Sequence, residues 1–324
     1  MLLGYIGNFI PPHSTENDIQ SALTNLGHEV LTFQENDPRT WHTIELLELD
    51  VMFWTRTGWH WPDYQITANY AHQLQTSMLV AARHAHVPTV GLHLDRWIGL
   101  AREPEIDSEP FFKCEWMFTA DGGHDQQWQD HGVNHHWFPP AVNEQSCYLS
   151  KPRGDFASDI AFVGSWNSYH PEWTHRFELV EHLRRSWGSR VEFWPKGPAI
   201  RGGDLNDLYS SVTVLVGDSC LIDDATHYCS DRIPETLGRG GLLIHPHVRG
   251  ITDGTLWTGE DHLLTWTLGK WDELDRAIDW ALSNPLDARN IALMGMAHTL
   301  ARHTYDRRLE AVLDVIAGRR QSVV

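Results

Sequence analysis

Apolar positions along this chain alternate between strand-like runs and helix-like spacing. The opening run LLGYIG is a short apolar block closed by glycine, and after a polar loop STENDIQSALTNLGHEV sets Ile19, Leu23 and Leu26 at helical intervals. Ser14 or Thr15 is placed to cap that helix and Gly27 to stop it. EVLTFQE reads as a second strand and DVMFWTRT as a third, beyond an intervening helical stretch. The helical ANYAHQLQTSMLVAARHAH then leads into VPTVGLHL as a fourth strand. Strands alternating with helices predict a parallel sheet covered on both faces.

Periodicity is lost between Phe138 and Asp159, where FPPAVNEQSCYLSKPRGD is rich in Pro, Ser, Asn and Lys. It then restarts: DIAFVGS as a strand, EWTHRFELVEHLRRSW as a helix, RVEFW as a strand, DLNDLYS as a short helix, then the strands VTVLVGDS and LLIHP. The tail is helical, with WDELDRAIDWALSN followed after Pro285 by a second long run to about Ile316. With 324 residues to distribute, the simplest account is two Rossmann-like α/β domains. The expected boundaries are 1–145 for the first, 146–158 for a linker and 159–324 for the second, with the last helices packing back on the first domain.

Composition narrows the class. No basic leader precedes the first apolar run, and no segment has the roughly 18 apolar residues needed to cross a bilayer, so a soluble cytoplasmic protein is expected. The four cysteines Cys114, Cys147, Cys220 and Cys229 form no CxxC pair and read as free thiols. Net charge is -18, of which -13 falls in residues 1–150 and -5 in the remainder. Long-range attraction to nucleic acid or anionic membrane is therefore weak in the second half and opposed in the first, although a local basic groove is compatible with either sum. The 16 Trp and 21 His are unusual. Trp beside polar residues, as in WHW at 59–61, is either core or an exposed platform for stacking sugars.

Candidate chemistry concentrates in the second half. Ligands of open parallel sheets bind at the carboxyl ends of strands, and in FVGSW the pair Gly164 and Ser165 would end one and admit a phosphate closely. YCSDRIPETLGRGGLLIHP is more specific. A helix starting near Ile233 and Pro234 puts proline where its missing N–H costs nothing, with Ser230 or Asp231 as cap. Arg232 then stands beside an anion-friendly position, and Glu235 can accept two hydrogen bonds from a vicinal diol such as ribose. Gly238, Gly240 and Gly241 allow close packing and the turn into LLIHP; the competing reading is an ordinary capped helix with a surface ion pair.

These residues resemble the donor-site motif of retaining glycosyltransferases with the two-domain GT-B fold, especially the group 1 and spore-maturation (CgeB-like) branches. The match is SDRIPETLGRGGLLI, with Glu235 in the place of the second acid of the family's paired Glu motif. The first acid would fall at His227, where this chain departs from the pattern. DIAFVGS resembles the family's first strand of the C-terminal domain, and HTYDRR at 303–308 the ending of CgeB-like domains. The resemblance implies two Rossmann-like domains facing a central cleft, with a nucleotide-diphosphate sugar held by the second. Arg232 and the Ile233 amide would then meet phosphate and Glu235 the ribose, with Lys196 or Arg201 as a further cation.

In the first domain VPTVGLHLDRW resembles the strand and His-Asp turn of group 1 enzymes, making His93 and Asp95, together with Glu235 of the second domain, the catalytic candidates. Histidine could hydrogen-bond a sugar hydroxyl, and a carboxylate could position or deprotonate an acceptor. Gly7, Asn8, His13 and Glu16 line the first strand–helix loop and are candidate acceptor contacts. His135–His136 and His245–Pro246–His247 lack zinc spacing, so no metal is expected, in keeping with GT-B enzymes that use protein cations. No cofactor beyond the donor sugar nucleotide is implied. The leading function is transfer of a sugar, with retention, to an acceptor that is a glycan, protein or small molecule. Alternatives are a GT-B sugar-nucleotide epimerase or hydrolase, a non-catalytic glycan-binding protein, and a DNA-base glycosyltransferase, which the acidic first domain disfavours.

Overall fold

The computed structural model describes residues 1–43, 48–56, 68–165, 172–222 and 226–324; the WHW segment lies outside them. Packing divides the chain into two units: Met1–Pro139 with Tyr305–Val324, and Pro140–Thr304.

In the first unit β1 (Leu2–Gly7), α1 (Thr15–Asn25), β2 (Glu29–Gln34), α2 (Thr40–Thr43), β3 (Val51–Thr55), α3 (Ala68–His84), β4 (Thr89–His93), β5 (Trp116–Thr119), α4 (Asp125–Asp130) and β6 (His135–Trp137) follow in order. The strands make one parallel sheet, β2-β1-β3-β4-β5-β6, in which Leu3 pairs with Val30 on one side and Val51 on the other. Every residue of β3 and β4 is buried, which is why these strands read as unbroken apolar runs. Ser14 Oγ accepts the Asn17 N–H at 3.3 Å to cap α1, and Gly27 leaves it at φ +85°. Trp41, Trp54, Trp97 and Trp128 are fully buried and pack with Phe111 and Phe112, so among the described residues the tryptophans of this unit are largely core. β6 carries no sequence signal of its own, since HHW has neither an apolar run nor alternation, whereas sequence reasoning passed over the short apolar run WMF of β5.

In the second unit the order is β7 (Ser158–Val163), α5 (His175–Trp187), β8 (Val191–Trp194), α6 (Gly203–Ser211), β9 (Val212–Val216), α7 (Arg232–Gly238), β10 (Leu243–Pro246), β11 (Leu264–Trp266), α8 (Trp271–Ser283) and α9 (Pro285–Arg302). The parallel sheet runs β11-β10-β9-β7-β8. β7 shows how it is clothed: Ile160 and Phe162 face a core with Leu179, Leu183 and Ile278, whereas Ala161 faces Leu205 and Leu208 of α6. That alternation is the two-residue period of a strand.

The stretch 146–158 is tied to this unit. The Ser150 and Arg153 N–H groups donate to Ser210 and Ser211 at 3.0 and 2.7 Å, and the Arg153 guanidinium meets Asp155, Asp204 and Asp207. The chain passes between units earlier, at Pro139–Pro140. The helical tail is also broken. It is interrupted at His303 and Thr304, and α10 (Tyr305–Ile316) belongs to the first unit, packing on α1.

Successive connections leave in opposite directions on either side of β1 and β3 in one sheet, and of β7 and β9 in the other. The carboxyl ends at such a switch in strand order form the natural crevice of an open parallel sheet.

Candidate active site

In the second unit β7 is followed by Gly164 and Ser165, and β9 by Gly217, Asp218 and Ser219. Both glycines are required by one side chain. A Cβ on Gly164 would stand 2.6 Å from Arg232 Nη2, and one on Gly217 would stand 2.4 Å from Arg232 Cδ. Arg232, first residue of α7, thus threads between the two strand ends at the switch point, its guanidinium 5.4 Å from the centre of the Phe162 ring. Its Nε is buried and has no hydrogen-bond partner among the described residues. A buried guanidinium N–H left unpaired is costly, and an anion would satisfy it.

A second arginine, not foreseen from the sequence, shares the site. Arg176 on α5 pairs through Nη2 with Asp218 Oδ1 at 3.0 Å, donates to the Ser165 carbonyl at 3.2 Å, and stacks 3.7 Å from the Trp173 ring centre. Asp218 is 2% exposed, so the pair is fixed on both sides. Behind it Ser219 and Ser230 share a hydrogen bond of 3.0 Å, and Ser219 lies 2.9 Å from His245 Nε2. His245 is buried and donates through Nδ1 to the Pro246 carbonyl; burial pushes its pKa down to about 4, so the ring is neutral.

Glu235, one turn into α7, is partly exposed, and burial raises its pKa against the opposing pull of Arg239, Arg201 and Arg232. Arg239 Nη1 lies 3.9 Å from Glu235 Oε1 and donates to the Glu235 carbonyl at 3.1 Å. Gly240 and Gly241 pack as anticipated: a Cβ there would stand 2.3 Å from Leu149 and 2.5 Å from Leu215.

Several expected contacts take other forms. Asp231 holds the cap position of α7 but makes no side-chain capping bond, and the Ser230 hydroxyl is engaged with Ser219. The Ile233 N–H donates to the Ser230 carbonyl at 3.3 Å, so it serves the turn. Lys196 is exposed beyond β8, 2.7 Å from Glu192 and over the Trp194 ring. Arg201 is exposed and donates to its neighbour's carbonyl. His227 adopts φ +58°, its ring filling the space that a Cβ on Gly250 would need. His247 Nδ1 lies 3.1 Å from Thr252 Oγ1.

In the first unit Gly7 ends β1, and a Cβ there would stand 2.8 Å from Glu16 Cγ. Asn8 is buried, accepts from Gln34 Nε2 at 3.0 Å, and takes the Ser14 hydroxyl on its carbonyl at 3.1 Å. His13 is exposed at φ +61°, while Glu16 is buried and its pKa raised by that burial. His93 closes β4. Its Nδ1 accepts the Asp95 N–H at 3.0 Å, and its Nε2 lies 3.1 Å from the Trp97 indole nitrogen. Burial, then Arg102 and Arg56, lower its pKa to about 3. Both ring nitrogens are thus already in contact with protein groups. Asp95 is half-buried beside it. Sequence reasoning passed over Asp121, a fully buried carboxylate two residues beyond β5 whose Oδ2 accepts the N–H groups of Trp97 and Ile98 at 2.8 and 2.7 Å.

Residues 172–314 match the family model described as Glycosyl transferase-like. The curated proteins hold no match. Among solved structures, a sucrose-phosphate synthase from Thermosynechococcus elongatus is 11% identical at TM-score 0.65, with 98% of this chain and 100% of that one covered. A trehalose-6-phosphate synthase, studied for glycosyltransfer with retention, is 10% identical at TM-score 0.63, covering 98% and 99%. HepE of Anabaena, solved with UDP and glucose, is 13% identical at TM-score 0.61, covering 98% and 100%. At such identities these structures establish the fold: the chain has the two parallel-sheet α/β units of the GT-B type, and residues 172–314 within it are similar to the Glycosyl transferase-like family.

Proposed function

We propose that the second unit seats the diphosphate of a nucleotide-sugar and that the protein transfers the sugar to an acceptor. The observation that carries this reading is Arg232, held between two glycine strand ends with its Nε buried and unpartnered. Its guanidinium is the principal phosphate ligand, with Arg176 as the fixed neighbouring cation; Gly164 and Ser165 supply close backbone approach. Glu235 accepts the hydroxyls of the ribose. In the reaction the bond from the anomeric carbon to the diphosphate breaks, the acceptor oxygen takes that carbon, and the acceptor proton leaves to a base. Stabilising charge on the departing diphosphate is the main contribution of the two arginines.

The acceptor falls to the first unit, where Gly7, Asn8, His13 and Glu16 supply contacts. Asp95 is the carboxylate suited to deprotonate or position its hydroxyl, with His93 holding the Asp95 backbone. Within the glycosyltransferase class, SDRIPETLGRGGLLI and HTYDRR favour the spore-maturation branch and retention of configuration. The uridine nucleotide is the first to test, because HepE was solved with UDP.

Calorimetric titration with nucleoside diphosphates, followed by release assays with a panel of nucleotide-sugars, tests the assignment. Binding is expected in the native protein and about a hundredfold weaker in Arg232→Ala, the scale of a lost charged hydrogen bond left uncompensated. Absence of binding by every nucleotide would overturn it.

A further inference from the structure

A cavity of about 560 Å³ opens in the first unit at the amino ends of β4 and β5, beside the last turn of α3. Its floor is apolar, with Leu79 and Phe112 buried, and Thr89 closes it at the start of β4. Its rim carries Arg83 and Lys113, both exposed, against one acid, Glu115.

Those two cations stand out against the charge of this region. Residues 1–150 hold only 6 Lys and Arg against 19 Asp and Glu. Of the six, Arg39 and Arg56 pair with Asp37 and Glu109, while Arg96 and Arg102 donate to the carbonyls of Ile98 and Arg96. Arg83 and Lys113 have no ion pair or hydrogen bond among the described residues, and both border the same cavity. A place in the last turn of α3 suits Arg83 to the helix dipole. It does not account for Lys113, which comes from a separate segment.

We propose that this cavity is a second binding site, for a small organic anion: a carboxylate or phosphate held by Arg83 and Lys113, with a ring-sized apolar body against Leu79 and Phe112. The volume lies within the roughly 300–1,000 Å³ of small-molecule sites. β4 separates it from His93 and Asp95 at the other end of the strand, so the bound anion is an effector or accessory ligand, distinct from donor and acceptor. The inference does not depend on the reading of Arg232.

Phenyl phosphate, inorganic phosphate and neutral benzyl alcohol are the probes, titrated by ligand-observed NMR against the native chain, an Arg83→Ala/Lys113→Ala double variant and Arg232→Ala. Phenyl phosphate should bind the native chain and Arg232→Ala alike at this site, and weaken about tenfold or more in the double variant, as expected for lost charged contacts. Inorganic phosphate should bind more weakly and benzyl alcohol weakest. Arg83→Gln/Lys113→Gln, which keeps the side-chain stems, should show the same loss. The proposal is overturned if phenyl phosphate binds the double variants as well as the native chain, if its binding disappears only with Arg232, if benzyl alcohol binds equally well, or if nothing binds at about 10 mM.

Discussion

At the scale of single residues the second unit is organised around one guanidinium and the space left for it. Gly217 shows this most directly: substitution by alanine puts a Cβ 2.4 Å from Arg232 Cδ, and Arg232 must move. Gly217→Ala is therefore expected to fold and yet lose about a hundredfold in turnover, the scale of a catalytic group displaced by about 1 Å. Steady-state kinetics beside a denaturation midpoint separate the two effects. Glu235 makes a different prediction. Its raised pKa means that it protonates at higher pH than an ordinary carboxylate, so in the proposed role its hold on ribose hydroxyls weakens earlier as pH falls. Donor affinity should drop on acidification above the usual carboxylate range, and Glu235→Gln should be weaker at neutral pH with that dependence gone. A native chain whose donor affinity changes with pH no differently from that of Glu235→Gln would exclude this role. Arg232 and Glu235 were legible because proline, glutamate and glycine fall at fixed offsets around one short helix. Arg176, Asp218 and Ser219 were not, since their importance depends on β7 and β9 being neighbours, and strand order is not written in local pattern.

At the scale of elements the same distinction recurs. Strands buried on both faces, such as β3 and β4, declare themselves as apolar runs; β6, three residues long with two histidines, is specified by its neighbour β5. The helical tail reads as continuous because its apolar spacing continues through His303 and Thr304. The break there is held by tertiary bonds: the Val142 N–H donates to the His303 carbonyl at 3.0 Å, and His303 Nε2 meets the Leu256 carbonyl at 3.0 Å. Between α7 and β10, Gly240 has φ +72° and no room for a Cβ beside Leu149. Gly240→Ala should cost about 1 kcal/mol, chiefly from left-handed backbone strain, because the exposed Leu149 can turn aside. Chemical denaturation would show it as a lowered midpoint, whereas an unchanged midpoint would mean that the loop relaxes freely.

Across the whole molecule, three imidazoles buried in the neutral state set the response to acid. His93 has its pKa lowered to about 3, and His135 and His245 to about 4, each chiefly by burial. An unfolded histidine binds its proton near pH 6.5, so as pH falls from there the unfolded chain takes up protons that the folded chain refuses. Stability is full above that value and is lost downward through about pH 4, by about 2 kcal/mol per imidazole between pH 7 and 5. Glu16, Asp121 and Glu235 act in the opposite sense, because their raised pKa values favour the folded state as they protonate. Two of the histidines lie in the first unit and one in the second. Denaturation of the native chain and of His245→Asn at pH 7 and 5 isolates one ring from the opposing carboxylates: the variant should lose less stability between the two pH values, and an equal loss in both would contradict the neutral burial of His245.

The passage of α10 back to the first unit bears on how the protein is made. Leu309, Val312 and Tyr305 are buried, and Asn25 of α1 donates to Asp306 at 3.3 Å, so the first unit lacks a wall until residues 305–324 exist. During synthesis the second unit is complete when Thr304 emerges, while Met1–Pro139 must wait for residues 305–324. Its apolar face is uncovered for the whole of that interval, and the order of completion is the reverse of the order of translation.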